Sequence, residues 1–153
     1  MAHQDVVDLA KTFIGAKEVP PGSNRGPQVD LWTGGRPEPH CSHFVAWLFR
    51  QCGKALPGDV VPSPKRANPL ASVSHLERVI KEHGWAVREP QVGDIVFYLT
   101  RGKSDAGPGR HTGIVIAVDA THFETVESNW SDRVAHRTVS RSDPTVAGFG
   151  RRP

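Results

Sequence analysis

The helix-forming segments of this chain come first and its strand-forming segments come last, and this order limits the possible folds more than any other feature. From residue 94 onward, short runs rich in Val, Ile, Thr and aromatic residues are separated by Gly, Asp, Asn and Pro. They predict five consecutive strands, over residues 94–100, 112–119, 122–128, 133–140 and 145–149. Helices followed by consecutive strands indicate an α+β fold with an antiparallel sheet.

Apolar residues at helical spacing predict three helices ahead of these strands. They span residues 5–14, 41–52 and 74–83, and a glycine directly follows each of them as a helix stop. The third helix begins with Ser74 and Glu77, whose spacing is typical of a capping box. Residues 29–32 are predicted to add one helical turn.

The length and composition fit one globular domain. The chain has 153 residues, and we expect a single domain over residues 1–153. Its balance of apolar and charged residues excludes collagen-like, coiled-coil and disordered chains. No stretch reaches the ~18 apolar residues that a membrane span needs. The first residues lack the basic and then apolar pattern of a secretory signal, so we expect synthesis in the cytoplasm without a signal peptide.

The positive charge is mild. The formal net charge is +3 and the isoelectric point about 9.1. No basic run exceeds two residues, so the charge does not favour nucleic acid as a partner. It suits an anionic polymer such as a cell wall, but an ordinary solubilising charge is the preferred interpretation.

Two long connections interrupt the predicted elements. Residues 54–71 contain four prolines and predict a long surface loop. Residues 101–110 are rich in glycine and polar residues and are long for a hairpin connection. Loops of that kind often carry function.

The two cysteines, Cys41 and Cys52, lie at opposite ends of one predicted helix. Eleven helical residues separate them by about 16 Å, whereas a disulfide needs Cα atoms within roughly 7 Å. We therefore expect two free thiols, which suits a reducing compartment of synthesis. Cys52 lies at the end of its predicted helix, on the apolar side, and is interpreted as a core residue.

Cys41 is the most informative residue for chemistry. It lies at a predicted helix N-terminus, which stabilises a negative charge and so favours the thiolate. A thiolate is the form that attacks a carbonyl. The free amides of the same helix end can donate to an oxyanion. The alternative is a small buried apolar residue without a chemical role.

A nucleophilic cysteine needs a base, and His111 is the strongest candidate among eight histidines. It opens a predicted strand, so its ring lies at the rim of the sheet, where a helix end can meet it. Gly113 leaves room for the close approach of another element. In a hairpin with the next strand, Glu127 or Asn129 can lie beside His111 and orient its ring. The alternatives are an exposed histidine and two turn residues.

A metal site is a further interpretation of the same region. His40, Cys41 and His43 bring three possible ligands into four residues. Structural zinc sites combine two separated pairs of ligands, and no second pair stands out. We therefore expect no metal and no other cofactor.

Four motifs occur in a set order: Cys-Ser-His-Phe-Val-Ala-Trp from Cys41, Val-Gly-Asp-Ile-Val-Phe from Val92, His-Thr-Gly-Ile-Val from His111 and Val-Glu-Ser-Asn-Trp from Val126. In this order they resemble the CHAP family, the cysteine- and histidine-dependent amidohydrolases and peptidases of the papain-like NlpC superfamily. Upstream, residues 14–24 are similar to the stretch ahead of the nucleophile in phage-type members. The resemblance covers about residues 10–150. It implies a papain-like fold, in which N-terminal helices pack on a five- to six-stranded antiparallel sheet, and one catalytic domain without a separate wall-binding domain.

The resemblance also implies roles for individual residues. Cys41 matches the nucleophile and His111 the general base. Glu127 matches the acidic orienter and Asn129 the polar residue two positions later, and either can contact His111.

Three further residues are expected to bind substrate: Asn24 in a loop, His40 before the nucleophile and Trp130 at the end of the last motif. His40 departs from the relatives, which often have Trp or Asp at that position.

The implied activity is hydrolysis of an amide bond in peptidoglycan, by an endopeptidase or an N-acetylmuramoyl-L-alanine amidase. A phage lysin released through a membrane hole and a secreted antibacterial effector both fit, and an effector would have an immunity protein as partner. A monomer is expected, with no membrane or nucleic-acid partner. The alternatives are a cysteine hydrolase or acyltransferase acting on a non-wall amide, and an inactive wall-binding module.

Overall fold

A computed structural model of the chain describes residues 3–99 and 110–153. The helices are α1 (Gln4–Thr12), α2 (Val29–Thr33), α3 (Cys41–Gln51) and α4 (Val73–Glu82), with a 3-10 turn at Pro69–Ala71. The strands are β1 (Ala86–Val87), β2 (Ile95–Tyr98), β3 (His111–Val118), β4 (His122–Trp130), β5 (Arg133–Ser140) and β6 (Val146–Gly150). The predicted α+β order is confirmed.

The six strands form one antiparallel sheet in the order β1-β6-β2-β3-β4-β5. The run from β2 to β5 is a meander in which each strand pairs with the next. β6 returns across the sheet to pair with β2. The sequence analysis missed β1, because two residues are too few to show an alternating pattern.

The two faces of the sheet bury different side chains. Along β2, Ile95 and Phe97 join the main core beneath the helices, while Val96 and Tyr98 join a smaller cluster on the opposite face. Helix α3 packs on β3 and β4, and eight of its eleven residues are buried. Its N-terminus therefore meets the sheet as part of the core.

The start of α4 differs from the prediction. The N-cap is Ser72, whose hydroxyl accepts a hydrogen bond from the His75 amide at 3.2 Å. The prediction of a capping box at Ser74 and Glu77 is wrong, because the helix already begins at Val73. The Glu77 carboxylate instead pairs with Arg110 and, at 3.7 Å, with Lys81.

The predicted connections differ from simple surface loops. Within residues 54–71, the side chains of Leu56 and Leu70 are buried in the core. Leu70 lies in the 3-10 turn, which directs its side chain inward. The connection predicted over residues 101–110 lies outside the described residues, except for Arg110.

The chain after α1 runs antiparallel to the start of β5. The Gly15 amide donates to the Val134 carbonyl and the Val134 amide to the Ala16 carbonyl, both at 2.9 Å. The Glu18 amide donates to the Asp132 carbonyl at 3.0 Å. These bonds fix residues 15–18 against the outer strand of the sheet. Within the described part of the chain, no helix has the length and apolar character needed to cross a membrane.

Candidate active site

Cys41 is the first residue of α3 and its side chain is buried. The preceding residue, His40, is the N-cap, and its carbonyl accepts the Phe44 amide at 2.9 Å. The first N–H groups of a helix have no carbonyl partner within the helix. The start of the helix therefore presents both the thiol and backbone donors that no carbonyl of the helix engages. Both cysteines of the chain are free thiols.

His111 opens β3 and lies beside Cys41. Burial by itself would lower the pKa of His111, but hydrogen bonds and charge from Cys41 and Glu127 raise it to about 9. The imidazole is therefore protonated at neutral pH. The structure thus brings together the thiol and the base that the sequence analysis selected.

Glu127 is the carboxylate that contacts His111. Its Oε1 lies 3.0 Å from His111 Nε2 and accepts a second bond from Arg137 Nη1 at 2.7 Å. Its Oε2 accepts from the hydroxyls of Tyr98 at 2.6 Å and Thr125 at 2.7 Å. Burial by itself would raise the pKa of Glu127, but the bond and charge of His111 and then the charge of Arg137 lower it to about 2. A permanent negative charge therefore supports the imidazolium.

Gly113 makes room for this carboxylate. A Cβ at residue 113 would lie 2.4 Å from Glu127 Cγ and 3.0 Å from the Val126 carbonyl oxygen. Any larger residue would have to push Glu127 away from His111. The close approach expected at this glycine is therefore present, and it is made by Glu127.

Gly113→Ala is expected to lower the free energy of unfolding by about 1–3 kcal/mol through overpacking, and to lower kcat as well because Glu127 is displaced. Urea unfolding and turnover would be measured together. Gly150→Ala is the matched control, since its Cβ would lie 2.7 Å from Ile80 Cγ2, far from Glu127. The control should lose stability and keep kcat. A Gly113→Ala variant with unchanged kcat would contradict the prediction.

Aromatic rings enclose the imidazole. The Tyr98 ring stacks on His111 with centroids 5.8 Å apart, and the Trp130 ring lies 5.6 Å away. The Arg137 guanidinium lies 3.7 Å from the centroid of the Trp130 ring. Trp130, expected to bind substrate, is half-buried and forms one wall of the site.

Asn129 does not contact His111 through a described hydrogen bond. Its side chain is fully buried, and neither amide atom has a hydrogen-bond partner among the described residues. Its φ of 66° and the register shift between Glu127 and Trp130 break the strand alternation at this position. Of the two residues that the sequence left open beside His111, Glu127 is the one with a described hydrogen bond to it.

His40 is placed differently from the expectation of a residue at the cleft edge. Its side chain is fully buried, with Nε2 2.9 Å from Glu18 Oε2 and Nδ1 bonded to the Ser128 hydroxyl. Both ring nitrogens are thus occupied inside the protein. Asn24 is half-buried, and its backbone amide donates to Glu18 Oε1 at 2.8 Å.

Two of the possible metal ligands, His40 and His43, contact the side chains of other residues. His43 Nε2 contacts Glu38 Oε1 at 2.5 Å, and His40 is held as described above. Among residues 3–99 and 110–153, no group of three or more His, Cys, Asp or Glu side chains is arranged to hold a metal ion.

A cavity of about 440 Å³ is lined by residues that are close in sequence to Cys41 and His111. Its lining includes Pro39, two residues before Cys41, and Arg110, which precedes His111. Further lining residues come from the range 67–74, at the end of the proline-rich connection.

Comparison with known proteins assigns these residues to one family model. The model of the CHAP domain matches residues 32–129, more than half of the chain, and the matched range holds Cys41, His111, Glu127 and Asn129. No curated protein and no solved structure matches the chain.

Proposed function

The chain belongs to the CHAP domain family, and from this premise we propose that it is a cysteine hydrolase that cleaves an amide bond of peptidoglycan. CHAP domains are typically cysteine- and histidine-dependent hydrolases, and the family indicates a peptidoglycan-related amidase or peptidase. The observation that carries the proposal is the buried chain of contacts from Cys41 through His111 to Glu127.

In the first half of the reaction, the Cys41 thiolate attacks the carbonyl carbon of the scissile amide and forms a C–S bond. The negative charge moves to the carbonyl oxygen, where the N–H groups at the start of α3, which have no partner within the helix, can donate to it. The C–N bond then breaks, and the imidazolium of His111 transfers its proton to the leaving nitrogen. The products are a free amine and a thioester on Cys41.

In the second half, neutral His111 takes a proton from water as the water oxygen attacks the thioester carbonyl. The C–S bond breaks, which releases a carboxylic acid and restores the thiolate–imidazolium pair. Glu127 stays ionised throughout and stabilises His111 each time the ring becomes positive.

The substrate side of the proposal uses Asn129 and the cavity beside the start of α3. The Asn129 amide has no hydrogen-bond partner among the described residues, and the cavity beside Pro39 and Arg110 offers about 440 Å³ for a peptide stem. Because peptidoglycan lies outside the cytoplasmic membrane, the proposed roles are a phage lysin released through a membrane hole and an exported antibacterial effector.

The test is digestion of purified sacculi by the wild-type chain and by a Cys41→Ala variant, with mass spectrometry of the soluble fragments. Fragments from the wild type alone are expected. A new peptide amine and carboxyl pair would identify an endopeptidase, and separation of the muramic acid lactyl group from alanine would identify an amidase. Intact sacculi with a folded wild-type chain would overturn the proposal and favour a non-wall amide or a binding role.

A further inference from the structure

We propose that Glu18, His40 and Ser128 form a buried positioning relay that holds Cys41 at its attack position, an inference that rests on the proposed function for its catalytic meaning. The three residues are called the His40 relay below. They come from the segment after α1, the N-cap of α3 and strand β4. None of them touches the reacting atoms, and they act through the placement of the thiol.

The His40 relay is a continuous chain of side-chain contacts without solvent. His40 Nε2 lies 2.9 Å from Glu18 Oε2, and His40 Nδ1 contacts the Ser128 hydroxyl. The side chains of Glu18 and His40 are fully buried, and so is Ser128. A carboxylate, an imidazole and a hydroxyl follow one another in this order, and all three lie inside the protein. The arrangement is therefore suited to holding a position.

The protons of the His40 relay have one consistent arrangement. Burial lowers the pKa of His40 below its ordinary value, although the Glu18 carboxylate acts in the opposite direction. A neutral ring carries one N–H, and a carboxylate only accepts. His40 Nε2–H therefore donates to Glu18, and Nδ1 accepts the Ser128 O–H. Each group has the partner that its chemistry requires, so the ring is locked in one tautomer and one orientation.

The Glu18 end of the His40 relay is itself fixed. Glu18 Oε1 accepts the Asn24 backbone amide at 2.8 Å, and the Glu18 amide donates to the Asp132 carbonyl at 3.0 Å. The preceding residues pair with β5 through backbone bonds. The carboxylate that holds His40 is therefore anchored to the sheet through the main chain.

The other end of the His40 relay reaches the residues of the active site. Ser128 lies between Glu127, which contacts His111, and Asn129. His40 immediately precedes Cys41 and caps its helix. One imidazole thus joins the start of the nucleophile helix to the strand that carries the orienting carboxylate. Thiol–imidazole geometry decides the rate, because a misplacement of about 1 Å can cost about 10²-fold.

Ser128→Ala tests this inference in a Cys52→Ser background, so that Cys41 is the one thiol left. The second-order rate of Cys41 alkylation by iodoacetamide would be measured from pH 5 to 10, with kcat and KM on soluble muropeptides. We expect alkylation at pH 7 and kcat to fall by about tenfold or more, with KM changed by less than about twofold. Ser42→Ala is the matched control. Ser42 lies in α3, next to Cys41, and this variant also removes one buried serine hydrogen bond, which the Ser42 hydroxyl donates to the Leu70 carbonyl.

The control should keep the alkylation rate within about twofold while losing comparable stability. An unchanged alkylation rate in Ser128→Ala, or an equal loss in Ser42→Ala, would overturn the inference. Glu18→Gln provides a second variant of the same shape. Glu18 accepts one hydrogen bond at each carboxylate oxygen, whereas the glutamine amide accepts through its single oxygen and its nitrogen only donates. Its alkylation rate should also fall. Alkylation needs no wall substrate, so the relay is tested even if sacculi prove not to be the substrate.

Discussion

Cys41→Ala is expected to lower the rate of peptidoglycan cleavage by about 10⁴-fold or more, because it removes the atom that forms the thioester. The exchange of a buried thiol for a methyl group changes little volume, so the fold should persist. Turnover of labelled sacculi, together with the melting temperature, would measure both effects.

Cys52→Ala is the control for this experiment. Cys52 lies at the other end of α3, and burial raises the pKa of its thiol, which lowers its thiolate fraction near neutral pH. This variant should keep its activity within about twofold. Loss of activity in Cys52→Ala and not in Cys41→Ala would mean that the other thiol reacts.

Glu127→Gln is expected to have the second largest effect, a loss of at least about 10²-fold in kcat near neutral pH. The amide has the same shape as the carboxylate. Its oxygen can accept from His111 and Arg137 while its nitrogen donates to the hydroxyls of Tyr98 and Thr125. The variant therefore removes the charge and leaves the packing in place.

The pKa of His111 determines how the activity of this variant should change with pH. The pKa of His111 is raised to about 9, so the imidazolium and the activity are present at neutral pH and are lost as the pH rises through that value. Removing the Glu127 charge takes away one cause of the raised pKa. The alkaline limb of the kcat profile should therefore move to lower pH, by about one unit or more.

Glu124→Gln on the same strand is the matched control. Glu124 Oε1 contacts His136 Nε2 at 2.7 Å, and both side chains are exposed by 40% or more. An exposed pair contributes little, so this variant should keep the wild-type profile. An alkaline limb that stays in place in Glu127→Gln would show that Glu127 does not set the protonation of His111.

Periodicity and breaker residues predicted the element order and the helix that begins at Cys41, and the hairpin of β3 and β4 considered from the sequence is present. These signals lie within short stretches of sequence. Tyr98, Thr125 and Arg137 were missed, because their convergence on Glu127 depends on the register of neighbouring strands, such as Thr125 opposite Arg137. The order of residues along the chain does not show which residues of two neighbouring strands lie opposite each other.

The expectation for His40 failed for a related reason. Its position before Cys41 suggested a residue open to the cleft, whereas its partners lie 22 and 88 positions away in the chain. Glu18 and Ser128 lie in stretches that carry the family resemblance, but neither residue was given a role from the sequence. Only the packing of α3 on the sheet brings the three together.

The backbone pairing of residues 15–18 with β5 has a consequence for the behaviour of the chain in solution. The unpaired amides and carbonyls of an edge strand can form hydrogen bonds with extended segments of other molecules, which promotes aggregation. Here the segment after α1 covers part of that edge. An insertion or cleavage between α1 and residue 18 would free a template for self-association at the same time as it released Glu18.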